Sequence, residues 1–156
     1  MYLIDGHNLI PHVAGLSLRD PDDERRLAEG LAAFCRRARC RAEVYFDGAP
    51  PTQARRFTLG RVTVVFVRRG RTADAAIHAR LRQLGGAARN VIVVSSDRQV
   101  QAAVKSYGAQ VMDAATFARR LAASATASAG EAEEKPAEVS PDEVEEWLRL
   151  FGEEEG

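Results

Sequence analysis

Tyr2-Leu3-Ile4-Asp5-Gly6-His7-Asn8-Leu9 is the stretch whose reading decides the fold. Tyr2, Leu3 and Ile4 form an unbroken, β-prone apolar run, the pattern of a strand buried on both faces in a parallel sheet. Asp5-Gly6 stops the run with a turn signal. A carboxylate therefore stands just past the carboxyl end of an early, central strand. In open α/β sheets ligands bind in the crevice outside those ends. Asp and Gly also favour turns for local reasons, so Asp5 alone does not separate a site from a turn.

The ending recurs along the chain. Asp20-Pro21-Asp22-Asp23 opens a helix with Leu27, Leu31 and Phe34 on its apolar face. Ala42-Glu43-Val44-Tyr45-Phe46 reads as the second strand, and Asp47-Gly48 ends it. Val62 to Val67 is the third. Thr72 caps a helix to about Leu84, closed by Gly85-Gly86. Its inward stripe is Ile77, Leu81 and Leu84, and Asp74 and His78 share that side. The helix dipole explains an acid in the first turn, but not its sheet-facing placement, so Asp74 is expected to point at the strand ends. His78 is expected at the core edge, bonded to Asp74. Val91 to Val94 is a fourth, central strand, and Ser95-Ser96-Asp97 ends it. Asp97 lies inward with Val100, and a plain helix cap is the alternative. Ala109 to Met112 is the fifth strand, and Asp113 caps a last helix bearing Phe117 and Leu121.

The expectation is thus an α/β domain over residues 1–123, a mostly parallel five-stranded sheet with helices on both faces. Residues 49–60 read as a loop carrying Arg55, Arg56 and Phe57. Arginines beside an aromatic suit single-stranded nucleic acid; the alternative is that Phe57 belongs to the core. Arg69, Arg71 and Arg98 follow strand ends and suit phosphate contacts. Residues 124–139 read as a flexible linker. Residues 140–156 read as an acidic amphipathic helix and tail: Ser140-Pro141-Asp142-Glu143 is a capping box, and Val144, Trp147, Leu148 and Phe151 form one apolar stripe.

Composition agrees with one globular domain, at 156 residues and 46% hydrophobic. No apolar run reaches spanning length, and no basic segment precedes an apolar one at the start, so no membrane association and a cytoplasmic location are expected. Cys35 and Cys40 read as reduced thiols rather than metal ligands or a disulfide. The formal net charge of zero hides an asymmetry. Residues 1–123 hold 20 of the 22 Lys and Arg but 11 of the 22 Asp and Glu, a balance of +9; residues 124–156 carry −9. A basic body with an acidic tail points to a polyanionic partner.

Asp5, Asp47 and Asp97 each end a strand and Asp74 opens a helix, so all four should meet at one sheet edge. Clustered carboxylates repel, and an oxygen-only set suits Mg²⁺ or Mn²⁺. Tyr2 to Ile10, Val44 to Gly48, Thr72 to Ile77 and Val94-Ser95-Ser96-Asp97-Arg98 together resemble the NYN-domain proteins of YacP type, within the PIN-like nucleases. The Trp-bearing tail is similar to that of the same family. The resemblance implies a Rossmann-like PIN fold and a metal-dependent endoribonuclease. It places Asp5, Asp74 and Asp97 on the acidic metal site, Asp47 at the second-strand position, and Asn8 on the family's Asn. RNA is the implied partner, and for some relatives messenger RNA at the ribosome. In-line attack of water would leave a 5′-phosphate and a 3′-hydroxyl, with Asn8 orienting Asp5 or a phosphate oxygen. An inactive RNA-binding module of the same fold is the main alternative. A receiver-like domain is disfavoured because no Lys follows Met112, and a nucleotide-binding oxidoreductase because Gly-x-Gly-x-x-Gly is missing after the first strand.

Overall fold

Six strands make one sheet: β1 (Tyr2–Asp5), β2 (Ala42–Ala49), β3 (Arg56–Leu59), β4 (Val62–Arg68), β5 (Ile92–Val94) and β6 (Gln110–Met112). The computed structural model describes residues 1–18, 22–49, 56–68 and 70–129. The strand order is β3-β4-β2-β1-β5-β6. Every pairing is parallel except β3 with β4. Among the described residues the α-helices are α1 (Gly6–Leu9), α2 (Asp22–Ala38), α3 (Ala73–Leu84), α4 (Arg98–Lys105) and α5 (Ala114–Ala129), the last following β6. Short 3₁₀ turns cover Ile10–His12 and Gly85–Asn90.

The apolar runs become buried strands as expected. Leu3, Ile4, Val44, Val64, Val93 and Val94 are fully buried. Because successive strand side chains face opposite ways, the sheet feeds two cores. Ile4, Val44, Phe46 and Val64 pack with Leu27, Leu31 and Phe34 of α2 and Phe117 of α5. Leu3, Tyr45 and Val93 pack with Ile77 and Leu81 of α3 and Val100 and Val104 of α4. The connection from β1 runs to β2 on one side, while β5 lies on the other. β1 and β5 therefore flank the point where the chain's winding reverses, the place where such sheets open a crevice.

Two sequence expectations change. The sheet has six strands, not five, because part of the expected loop at 49–60 is β3. Phe57 and Leu59 are buried while Arg56 and Thr58 are exposed, a period-two alternation. Gly60, at φ +60°, makes the tight turn into β4. Phe57 stacks on Phe66 with ring centres 6.4 Å apart. It is a core residue and not a base-stacking platform. Second, α5 continues to Ala129, so residues 124–129, assigned to the linker, are helical. The stretch is rich in Ala and lacks Gly and Pro before Gly130. Arg37 of α2 fastens it by donating to the Ser124 carbonyl and hydroxyl, both at 3.2 Å. The remaining linker and the amphipathic helix at 140–151 lie outside the described residues. Cys35 and Cys40 are free, and burial pushes the Cys35 thiol up. Among the described residues no helix is long and apolar enough to cross a membrane.

Candidate metal centre and nucleic-acid edge

Asp5 ends β1 and caps α1: its Oδ1 accepts from the Asn8 amide at 3.4 Å. The chain turns here against a wall. A Cβ on Gly6 would lie 2.3 Å from a Phe46 ring carbon, so only glycine lets α1 start this close to β2. Asp5 is partly buried. Its carboxyl is held above the usual carboxylate range, first by burial and then by the Asp47 and Asp74 carboxylates, against the lowering effects of the Asn8 amide and His7.

Asp47 lies two residues past Tyr45, the register partner of Asp5. It does not stand alone. His7 Nδ1 donates to Asp47 Oδ1 at 2.7 Å, and His7 Nε2 lies 3.3 Å from Glu24 on α2. Glu24, then Asp47, raise the His7 pKa from 6.5 to about 9, outweighing the burial that lowers it. The imidazolium is therefore charged at neutral pH and bridges two acids. The sequence reading missed both His7 and Glu24. His7 sits inside the opening motif, two residues past Asp5, but its partners come from distant segments.

Asp74 enters from α3, whose cap is Thr72. Its Oδ1 lies 3.0 Å from His78 Nε2. That oxygen is nevertheless buried without an aligned hydrogen bond, although the side chain as a whole is 45% exposed. The contact is therefore a close approach rather than a satisfied hydrogen bond. His78 also meets Tyr107, 3.5 Å from Nδ1 to the hydroxyl, which places it at the core edge as expected.

Asp97 is exposed and caps α4 through its Oδ1, which accepts from the Gln99 amide at 2.9 Å. The local cap reading is thus fulfilled. The crevice between β1 and β5 is closed by Asn8, whose Oδ1 accepts from the Ser96 amide at 2.9 Å. Asn8 braces the β5 end with its side chain, and its backbone, not its side chain, bonds Asp5. Ser96 continues the brace by accepting from the Ala114 amide at 2.9 Å.

The structure thus brings Asp47 and Asp74 each within electrostatic reach of Asp5. It does not gather Asp5, Asp74 and Asp97 into one ligand group: among the described residues no three His, Cys, Asp or Glu side chains are so placed. The donor set still fits Mg²⁺ or Mn²⁺. Mg²⁺ is commonly held by one or two carboxylates, with waters and substrate phosphates completing its shell. A raised Asp5 and an unbonded buried oxygen on Asp74 are the groups such an ion would satisfy. Of the expected arginines, Arg56 is exposed on β3, 4.0 Å from Glu43. With Arg68 and Arg71 it lines a 480 Å³ hollow beside β4. Arg98 is exposed at the start of α4. Arg55 and Arg69 lie outside the described residues.

Comparison with known proteins agrees with this fold. The crystal structure of Rae1 (YacP) from Bacillus subtilis is similar, with a TM-score of 0.73 and 22% identity, over 99% of this chain and 88% of that one. A mutant of the same protein gives 0.70 and 23%, over 96% and 91%. These likenesses show the fold. No curated protein matches. The family model of the YacP-like NYN domain matches residues 2–149, and the chain belongs to that family.

Proposed function

We propose that the protein is a divalent-metal-dependent endoribonuclease acting on single-stranded RNA. The observation that carries the reading is the crowding at Asp5: a partly buried carboxyl, raised by burial and by two neighbouring carboxylates, at the reversal point of the sheet. Such perturbed acids in a cleft mark functional sites, and the NYN domain belongs with the PIN-like nucleases.

In this reading Asp5, Asp74 and Asp97 would hold Mg²⁺ or Mn²⁺. When bound, such a cation acidifies an attacking water and offsets charge developing on the phosphoryl oxygens. The chain's own residues shape the rest. His7 offsets one of the two negative charges on Asp47 and Glu24, and the Asp47 and Asp74 carboxylates still act on Asp5. Asn8 fixes the distance between the β1 and β5 ends. Arg56, Arg71 and Arg98, with Arg55 and Arg69 in the same role, position the RNA backbone. Cleavage leaves a 5′-phosphate and a 3′-hydroxyl. The finer reading, messenger RNA at the ribosome, rests on family resemblance alone.

The test is incubation of end-labelled single-stranded RNA with the protein and Mg²⁺ or Mn²⁺, with and without chelator. Metal-dependent internal cuts with 5′-phosphate ends are expected. Retarded but intact RNA would favour the binding-module alternative, which the missing three-acid group favours among the described residues.

A further inference from the structure

On the face away from α3 and α4, the helices α2 and α5 part to leave a groove of 630 Å³. Its apolar lining includes Val13, Leu16, Leu27, Phe34, Ala118 and Leu121. Val13, Leu16 and Leu121 are only partly buried there, packed against the edge of the larger core. Gly30 opens the α2 side: nothing lies within 4 Å of where its Cβ would stand. Arg26, Arg37 and Arg119 border the groove. The described hydrogen-bond partners of Arg37 and Arg119 are the neutral Ser124 and Thr116 groups. The metal-centre reading uses none of these residues.

We infer that this groove is the docking site of the chain's own segment 140–151, with Trp147 as the anchor. Three features select that occupant. Its sequence presents Val144, Trp147, Leu148 and Phe151 on one helical stripe, and a short helix of this kind is stable only when that stripe is covered. A volume in the range of drug-sized pockets holds an indole together with a neighbouring apolar side chain. The charges match: Asp142, Glu143, Glu145 and Glu146 flank the stripe, and Arg37 and Arg119 border the groove beside Arg26, which is already paired with Asp23. Chain length permits the return. Residues 130–139 span up to about 33 Å when extended. The part of α5 lining the groove, Ala115 to Ala125, is about 15 Å long. The segment can therefore run back along α5 and lie between it and α2. Docking would clamp the two helices whose contact Arg37 already ties.

Trp147 is the only tryptophan, so its fluorescence reports the segment alone. The experiment compares emission and acrylamide quenching of the full chain with two variants, Gly30→Glu and Ala122→Glu. Both place an acid in the groove at exposed helical positions, and Gly30→Glu also gains helix propensity. The wild type is expected to show blue-shifted emission and a quenching constant several-fold below that of the urea-unfolded chain, unchanged on dilution. Each variant is expected to shift towards the unfolded value while far-ultraviolet circular dichroism shows the body still folded. Solvent-like Trp147 in the wild type overturns the proposal. So does protection that both variants leave intact, which places the segment elsewhere. Protection that falls on dilution overturns it in favour of a second copy.

Discussion

At the scale of single residues, charge decides the behaviour of the site. Asp5 has its carboxyl raised in the fold, so its ionised form costs stability at neutral pH. Asp97 separates cap from site. Asn caps a helix about as well as Asp, so Asp97→Asn should change stability by less than about 0.5 kcal/mol while removing cleavage; thermal melts with a cleavage assay check both. Cleavage at the wild-type rate would leave Asp97 as a cap only. His7 gives a pH signature. Its folded pKa of about 9 lies above the ordinary 6.5. Its stabilisation is therefore complete below 6.5 and is lost as pH rises through 9. Since His7 is a third exposed, the loss should be about 1 kcal/mol after allowing for screening. Urea titrations at pH 6 and pH 10 should show this fall in wild type and a smaller one in His7→Gln. The strand-end acids were legible because Asp-Gly after an apolar run is a local signal. His7 was not, since its charge state depends on Glu24 and Asp47, which only the fold brings to it.

At the scale of elements, the parallel core was legible from continuous apolar runs, and α3 from its cap and stripe. β3 was not, because four residues between a Pro-rich stretch and Gly60 look like loop until Phe57 and Leu59 are seen paired with β4. Glu43 was also hidden. A charged residue in a strand reads as solvent-facing, yet Glu43 is 6% exposed. Arg80 of α3 approaches both of its oxygens at 3.0 Å, and the Tyr45 hydroxyl donates at 2.5 Å. The network pins α3, and so Asp74, to the sheet. Arg80→Ala leaves this buried carboxylate with only the Tyr45 hydroxyl and the more distant Arg56 and should cost about 3 kcal/mol, read as a lower denaturation midpoint. The double variant Arg80→Met with Glu43→Met should recover most of that loss. A single Arg80→Ala variant as stable as wild type would show that α3 is held by its apolar face alone.

At the scale of the whole molecule, the basic body should make RNA binding salt-dependent. For single strands each lost phosphate contact flattens the slope of log affinity against log salt by about 0.7. Arg56→Ala with Arg71→Ala should flatten it by about 1.4, measured by anisotropy of labelled RNA under chelator; an unchanged slope removes the β4 hollow from the binding edge. The charge asymmetry was readable from composition, but the groove between α2 and α5 was not, since no local pattern says where two helices diverge. The central claim is that Asp5 belongs to a crowded acid site completed by a divalent cation. Melting temperature with and without Mn²⁺, in wild type and Asp5→Asn, tests it most directly. Mn²⁺ should raise the wild-type melting temperature, and Asp5→Asn should melt as high or higher without metal and gain nothing from it. An equal Mn²⁺ gain in Asp5→Asn, or none in wild type, would contradict it.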